Sequence, residues 1–210
     1  MTDTSTREAI LLLGPTGSGK TPLGERIEER GLWGRRCVHF DFGANLRRVV
    51  TRDRPDEMIS RGDVDFLKEV LRSGALLENE HFPIAERLLR SFLVERDPQA
   101  RRVVVLNGLP RHVGQAEAID SIVSVRAVIC LDCSPETVLR RIAADVGGDR
   151  SGRPDDRPEF ILGKLRIFSE RTAPLVEHYR GRGARIERLE VAAGMTAADA
   201  WQLLQQRTCR

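Results

Sequence analysis

Eight consecutive residues near the start of the chain have the types and the spacing of a phosphate-binding loop. The motif G-x-x-x-x-G-K-[ST] is formed by Gly14, Pro15, Thr16, Gly17, Ser18, Gly19, Lys20 and Thr21. Its glycines let successive backbone N–H groups point at phosphate oxygens, and the helix that follows adds partial positive charge. Lys20 is predicted to reach the β- and γ-phosphates, and Thr21 to ligate Mg²⁺. The motif therefore predicts that the chain binds a nucleoside triphosphate.

Charged residues also lie where two other apolar runs of the sequence end. Asp41 and Arg47 come at and after the end of the run that begins at Cys37, and Arg111 follows the run Val103–Leu106. Because parallel sheets bind ligands at the carboxyl ends of their strands, these side chains are candidates for one site. Two interpretations of Asp41 stay open. Its carboxylate can order Mg²⁺ or accept a proton from a substrate hydroxyl, or it can cap the helix that follows.

Short apolar runs alternate with helical patterns along the chain, and this alternation predicts the fold. The runs are continuously apolar, which is typical of a parallel sheet covered by helices on both faces. We therefore expect an α/β fold, a three-layer sandwich with a five-stranded parallel sheet, in one domain over residues 1–210. The predicted strands are 10–13, 37–42, 103–106, 127–131 and 185–191, and the predicted helices are 21–30, 43–52, 63–73, 80–96, 114–123, 135–144, 159–180 and 196–206.

Two segments depart from this regular alternation. Residues 43–90 carry several helices between two strands and predict a mobile excursion that binds a second substrate, with Gly62 and Gly74 as candidate hinges. Residues 145–158 include V-G-G-D-R-S-G-R-P-D-D-R-P, a stretch rich in Gly, Pro and charge that predicts a loop.

Composition excludes several classes of partner. With 34 basic and 31 acidic residues the net charge is only +3, which argues against a broad nucleic-acid surface. No apolar run approaches the roughly 18 residues that span a bilayer, and the first residues lack the pattern of a signal peptide. We therefore expect a cytoplasmic, monomeric protein whose partners are small molecules, with no nucleic acid and no membrane among them.

Four ordered segments resemble the nucleoside monophosphate kinases, and adenylate kinase in particular. The first is the phosphate loop, and the stretch Ser73–Leu77 also looks like the family's G-x-L-V stretch. The resemblance covers about residues 9–190. The other three segments, with the family's pattern in parentheses, are Asp41–Arg47 (S-T-G-D-x-L-R), Asn107–Arg111 with Gln115 (D-G-F-P-R-x-x-x-Q), and Arg153–Asp156 with Lys164 and Arg171–Leu175 (R-x-D-D, a helical Arg and T-x-P-L).

The resemblance implies transfer of the γ-phosphoryl of ATP, with Mg²⁺, to a nucleoside monophosphate. It implies that Arg47 and Arg111 clamp the acceptor's phosphate, that Gln115 hydrogen-bonds its base, and that residues 145–158 form a short lid. Arg141 is implied on the ATP side, where it completes the ATP-binding set with the phosphate loop. The implied catalytic residues are Lys20, Arg111, Arg141, Arg153 and Lys164, and the implied acceptor-binding residues are Asp41, Gly43, Arg47, Leu77, Gly108, Arg111 and Gln115.

The sequence departs from the family's pattern at four positions. Asn107 and Ala44 stand where the family has the two acids that hold the water shell of Mg²⁺, so Asp41 is a candidate for the missing carboxylate. Lys164 stands in place of an Arg, which removes a bidentate contact, and Asp145 stands where another catalytic Arg is expected. Two alternatives therefore stay open: a kinase of a small-molecule hydroxyl, of the shikimate or gluconate type, and an ATP-binding protein without kinase activity.

Overall fold

A computed structural model describes residues 6–51, 59–73, 77–97, 99–148 and 158–208. Five parallel strands form one sheet in the order β2-β3-β1-β4-β5. The α/β fold predicted from the apolar runs is confirmed. The strands are β1 (Arg7–Leu13), β2 (Cys37–Asp41), β3 (Val103–Asn107), β4 (Val123–Asp132) and β5 (Arg185–Glu190).

Helices cover both faces of the sheet, and both faces are buried. Adjacent residues of β1 enter different cores: Leu11 packs in the larger one and Leu12 in the smaller one. A π-helical turn spans Phe168–Thr172. None of the helices in the described ranges is both long and apolar enough to cross a membrane. The helices are α1 (Lys20–Arg30), α2 (Phe42–Val50), α3 (Arg61–Ser73), α4 (Phe82–Arg96), α5 (Val113–Ile119), α6 (Pro135–Ala143), α7 (Pro158–Ile167), α8 (Leu175–Gly181) and α9 (Ala197–Gln205).

Several predicted boundaries are wrong, and the largest differences have identifiable reasons. The helix predicted over 114–123 ends at Ile119, and β4 already begins at Val123 because its first residues pair with the start of β1. The single helix predicted over 159–180 is divided by the π-helical turn and by Pro174, whose ring carries no N–H and cannot continue a helical ladder.

Tryptophan hydrogen bonds fix the helix that follows the phosphate loop. Gly31 ends α1 with φ 73°, and its N–H donates to the Ile27 carbonyl at 2.8 Å. The Gly31 carbonyl accepts from Trp201 Nε1 at 2.8 Å, and Trp33 Nε1 donates to the Leu204 carbonyl at 3.0 Å. These two bonds join the end of α1 to α9, so α1 presents its first residue, Lys20, from a fixed support.

His39 lies in the middle of β2, directly beneath α1. Its side chain is buried, its Nε2 has no hydrogen-bond partner among the described residues, and a Cβ at Gly24 would overlap the ring. Burial lowers the pKa of His39 below 6.5, and the nearby carboxylates of Asp41 and Glu28 oppose the shift. His39 is therefore a neutral packing residue at neutral pH.

We expect the free energy of unfolding to fall below pH 6.5 more steeply in the wild-type chain than in a His39→Leu variant. The unfolded chain takes up a proton near that pH while folded His39 stays neutral, so stability is lost as the pH falls further. One such proton gives a slope of at most about 1.4 kcal/mol per pH unit. Urea unfolding followed by circular dichroism between about pH 5 and about pH 8 measures it. Equal slopes in the two proteins would contradict the assignment.

Candidate active site

The phosphate loop connects β1 to α1 and needs glycine at two positive φ angles. Gly17 has φ 75° and Gly19 has φ 93°. A Cβ at Gly17 would also lie 2.8 Å from Ile142 Cγ1. Lys20 Nζ donates to the carbonyls of Gly14 at 2.6 Å and Pro15 at 2.7 Å, so its ammonium already lies over the loop.

Thr21, Asp41 and Asn107 meet where β2 and β3 end. Asp41 pairs with Asn107 in the sheet register, and its Oδ2 accepts from Asn107 Nδ2 at 2.7 Å and from Thr21 Oγ1 at 2.6 Å. The other carboxylate oxygen, Oδ1, accepts from the Ala44 backbone N–H at 2.8 Å and caps α2. Asp41 therefore caps a helix with one oxygen and faces the phosphate loop with the other, so the two interpretations of this residue are compatible.

Two arginines line the same cavity as the phosphate loop. Arg47 comes from α2 and Arg111 from the loop between β3 and α5, and both line a cavity of about 240 Å³ together with the phosphate loop. Neither guanidinium forms an ion pair with a carboxylate in the described part of the chain. Burial lowers the pKa of Arg111 to about 10 because its charge has lost water. Such uncompensated positive charge is suited to binding an anion.

Two side chains from separate elements of the fold hold the backbone of Arg111. Its N–H donates to Gln115 Oε1 at 2.8 Å, and its carbonyl accepts from Thr172 Oγ1 at 2.8 Å. The Gln115 Nε2 donates to the Leu77 carbonyl at 2.8 Å. Arg111 therefore projects into the cavity from a backbone fixed on both sides.

Arg141 lies outside this cavity lining and bonds backbone carbonyls. It is buried, its Nε donates to the Gly17 carbonyl at 3.1 Å, and its Nη1 donates to the carbonyls of Ala192 at 2.9 Å, Ala193 at 3.2 Å and Met195 at 2.7 Å. In this structure Arg141 joins the phosphate loop to the turn between β5 and α9.

Among the remaining predicted residues, Lys164 lines the cavity from α7, whereas Arg153 lies outside the described residues. Gly43 and Gly108 line the cavity where β2 and β3 end, and Leu77 lines it as well. Ser18 is buried behind the loop, and its hydroxyl has no partner among the described atoms. Of the predicted excursion over 43–90, α4 packs its apolar face into the larger core.

Sequence reasoning missed several residues that line the cavity. Two of them, Phe168 and Thr172, were given no role in the site, yet both line the cavity together with Lys164. The three positions follow one another at intervals of four residues, which places them on one side of a helix. That spacing, counted from Lys164, is the signal that would have found them.

Comparison with known proteins agrees with this geometry. The family described as an AAA domain matches residues 10–161. An adenylate kinase of Stenotrophomonas maltophilia (strain K279a) is 31% identical over 185 residues, covering 85% of this chain and 89% of that protein. An adenylate kinase of Xanthomonas campestris pv. campestris (strain 8004) is 32% identical with the same coverage. One of Parvibaculum lavamentivorans (strain DS-1) is 29% identical over 199 residues, covering 90% of this chain and 86% of that protein.

The chain belongs to the adenylate kinase family. It is thus a phosphate-loop kinase that binds nucleotides, and the resemblance noted from four short segments extends through most of its length. Within the family it is divergent, since about two thirds of the aligned residues differ from these relatives. The Asp41–Asn107 pair contacts Thr21 of the phosphate loop, so a change of residue type there can alter the chemistry of the site directly.

Proposed function

We propose that the chain transfers the γ-phosphoryl of ATP to the phosphate of a nucleoside monophosphate. The observation that carries the proposal is one cavity lined both by a phosphate loop and by two arginines, Arg47 and Arg111, that come from other elements. A single phosphorylated ligand needs only one set of anion-binding groups. Two sets in one cavity fit two phosphate chains that meet within it.

The arrangement supports catalysis by positioning and by positive charge. Phosphoryl transfer brings two anionic substrates together and spreads negative charge over the moving group. Lys20 on the donor side and Arg111 on the acceptor side are suited to holding that charge in a site from which water is partly excluded. We propose that Lys164, which lines the cavity from α7, and Arg153 supply further positive charge from the lid side.

The residues around Thr21 fit Mg²⁺. The Thr21 hydroxyl and the Asp41 carboxylate offer the oxygen ligands that this hard cation prefers, and they lie 2.6 Å apart beside the loop. Asn107, in the position of a family acid, holds that carboxylate by a hydrogen bond. Thr21 and Asp41 would hold the ion, and Mg²⁺ would then neutralise negative charge on the phosphates of ATP. We propose that Asp41 takes over the role of the acids replaced by Asn107 and Ala44.

Purified protein with ATP and Mg²⁺ should convert at least one common nucleoside monophosphate to its diphosphate. In the same assay, we expect Arg47→Ala to raise the KM for the acceptor by about 10- to 100-fold, the cost of one charge-assisted hydrogen bond to phosphate. The KM for ATP should stay nearly constant. Arg48→Ala is the matched control, because Arg48 donates to Asn45 Oδ1 and does not line the cavity.

A kinase of a small-molecule hydroxyl is the second candidate, and the position of Asp41 favours it. A carboxylate beside the phosphate loop can accept the proton of an alcohol. That candidate requires Asp41→Asn to abolish turnover of an alcohol acceptor while Arg47→Ala has little effect. Tight ATP binding without turnover of any acceptor would instead indicate an ATP-binding protein that is not a kinase.

A further inference from the structure

A second cavity lies at the edge of the sheet where β2 and β3 begin, opposite the edge that carries the candidate active site. Its volume is about 350 Å³, and it is lined by Arg36 and Arg102, the residues that precede β2 and β3. The end of α1, the turn that joins α1 to β2, and Gln205 of α9 line the rest. Helix α1 separates the two cavities and has 11 residues, which span about 16 Å. Ligands in the two cavities would therefore not overlap.

Arg36 and Arg102 have no carboxylate partner within the part of the chain that the structure describes. Arg36 is exposed and Arg102 is half-buried. The acid that precedes Arg102 in the chain, Asp97, accepts from the backbone N–H groups of Arg101 and Arg102 at 3.2 Å each. Its ion pair is with Arg7, at 3.7 Å. The charges of the Arg36 and Arg102 guanidinium groups are therefore not neutralised by these residues.

The register of the sheet places these two arginines side by side. Cys37 pairs with Val103 in the parallel ladder, and the Val103 N–H donates to the Arg36 carbonyl at 2.9 Å. Arg36 and Arg102 are therefore neighbours at the start of adjacent strands. Like charges on neighbouring strands repel each other, and an anion bound to both relieves the repulsion.

The two glutamates that line the second cavity already have arginine partners. Glu28 Oε1 accepts from Arg96 at 2.9 Å. Glu29 Oε2 accepts from Arg26 at 2.8 Å, and its Oε1 lies 3.3 Å from Arg30 Nε. Such pairs contribute little to stability, but each places a positive charge beside a carboxylate and so reduces its repulsion of an incoming anion.

The other ionisable groups of the lining leave its charge balance positive. Arg35 donates to Glu8 at 3.0 Å, so it is paired. Burial raises the pKa of the Cys37 thiol to about 11, and the thiol is therefore neutral at neutral pH. The charge that the described residues leave unneutralised is that of Arg36 and Arg102.

We propose that the second cavity binds a phosphate monoester, whose phosphate group is held by Arg36 and Arg102. A phosphate monoester carries a charge of about −1.5 to −2 at neutral pH, which two guanidinium groups balance. Guanidinium also binds phosphate through two parallel hydrogen bonds. The volume of about 350 Å³ is typical of small-molecule sites, so the rest of the ligand fits beside its phosphate. The inference does not depend on the proposed function, because the two cavities share none of the described residues.

Both tryptophans of the chain border the second cavity and can report its occupancy. Trp33 lies in the turn that lines it, between Leu32 and Gly34. Trp201 Nε1 donates to the carbonyl of Gly31, which lines it as well. Neither tryptophan lines the active-site cavity. Tryptophan fluorescence therefore follows ligands of the second cavity more closely than ligands of the active site.

The experiment titrates the wild-type chain with inorganic phosphate, ribose 5-phosphate and AMP, each at constant ionic strength. Tryptophan fluorescence measures binding, and isothermal titration calorimetry on the same samples measures it independently of the tryptophans. We expect saturable binding of each ligand. Arg36→Gln and Arg102→Gln should each weaken the affinity by about 10- to 100-fold, the loss of charge-assisted hydrogen bonds to phosphate.

Arg101→Gln is the matched control. It removes the same charge from an exposed residue beside Arg102 that does not line the cavity, so it should bind phosphate as the wild-type chain does. In the fluorescence titration, tighter binding of AMP than of ribose 5-phosphate would support the inference and identify a nucleotide as the ligand. Equal affinity would support it and show that the phosphorylated sugar is sufficient.

Three results would overturn the inference. The first is no saturable binding, or an affinity that Arg36→Gln leaves unchanged in both measurements. The second is equal weakening by Arg36→Gln and Arg101→Gln, which would indicate general electrostatic attraction. The third is binding that is lost in Arg47→Ala and kept in Arg36→Gln, which would place the ligand in the active site. Because Arg36 is exposed, its variant carries the test even if Arg102→Gln does not fold.

Discussion

Replacing Lys20 with Met is expected to lower kcat/KM for phosphoryl transfer by about 1,000-fold or more. One preorganised group that stabilises developing charge contributes about 100- to 1,000-fold to kcat, and Lys20 also helps to bind ATP. The Lys20 ammonium bonds the carbonyls of Gly14 and Pro15. A phosphate that enters the loop offers the same cation a fully charged partner.

Steady-state kinetics with saturating acceptor measure this effect. Lys68→Met is the matched control, because Lys68 is exposed on α3 and pairs only weakly with Asp65 at 3.1 Å. Its variant should keep wild-type activity. If Lys20→Met retained activity within about tenfold, the assignment of the phosphate loop to catalysis would fail.

Replacing Arg111 with Met is expected to change activity and stability in opposite directions. Activity should fall by about 1,000-fold, because the acceptor's phosphate loses a half-buried cation whose backbone is fixed in place. The melting temperature should rise by a few degrees, on the order of 1 kcal/mol, because an uncompensated and desolvated charge is replaced by an apolar side chain. The lowered pKa of Arg111, about 10, has the same physical origin.

Differential scanning calorimetry and the kinetic assay, run on the same preparation, measure both effects. Arg90→Met is the control, because Arg90 is an exposed residue of α4 that bonds Glu86 at 2.9 Å. It should leave both quantities nearly unchanged. A lower melting temperature for Arg111→Met would show that Arg111 supports the fold, and full activity would remove it from the acceptor site.

The fold was largely predictable because several of the parallel strands are continuously apolar in sequence. Val103–Leu106 is wholly apolar, as a strand buried on both faces must be. The start of β4 was not predictable, because Val123 and Val125 alternate with polar residues and only their pairing with β1 makes them a strand. The π-helical turn before Pro174 was not predictable either, because the periodicity of side chains does not show where the backbone hydrogen bonds of a helix are interrupted.

The site was predictable where a local motif carries the chemistry. The phosphate loop and the arginines after β2 and β3 follow from short segments read along the chain. The partners of Gln115 and Asp41 do not, because they depend on which residues the topology brings opposite each other. Asp41 meets Asn107 only through the register of β2 with β3, and Gln115 meets Leu77 across a segment of 38 residues.

The hydrogen bonds of Arg141 make the nucleotide site tolerant of substitutions at its partners but not at Arg141 itself. Its partners in the phosphate loop and in the β5–α9 turn are all main-chain carbonyls, so the side chains at Ala192, Ala193 and Met195 can vary without removing a bond. The guanidinium itself has no substitute, because no other side chain offers so many donors in one plane. We therefore expect the β5–α9 turn and the phosphate loop to open together, as one cooperative event. The backbone amides of the two segments should then show similar protection from hydrogen exchange. Substitutions at Ala192, Ala193 and Met195 should therefore have little effect on this coupling. A substitution of Arg141 would let the backbone amides of the two segments exchange their hydrogens independently.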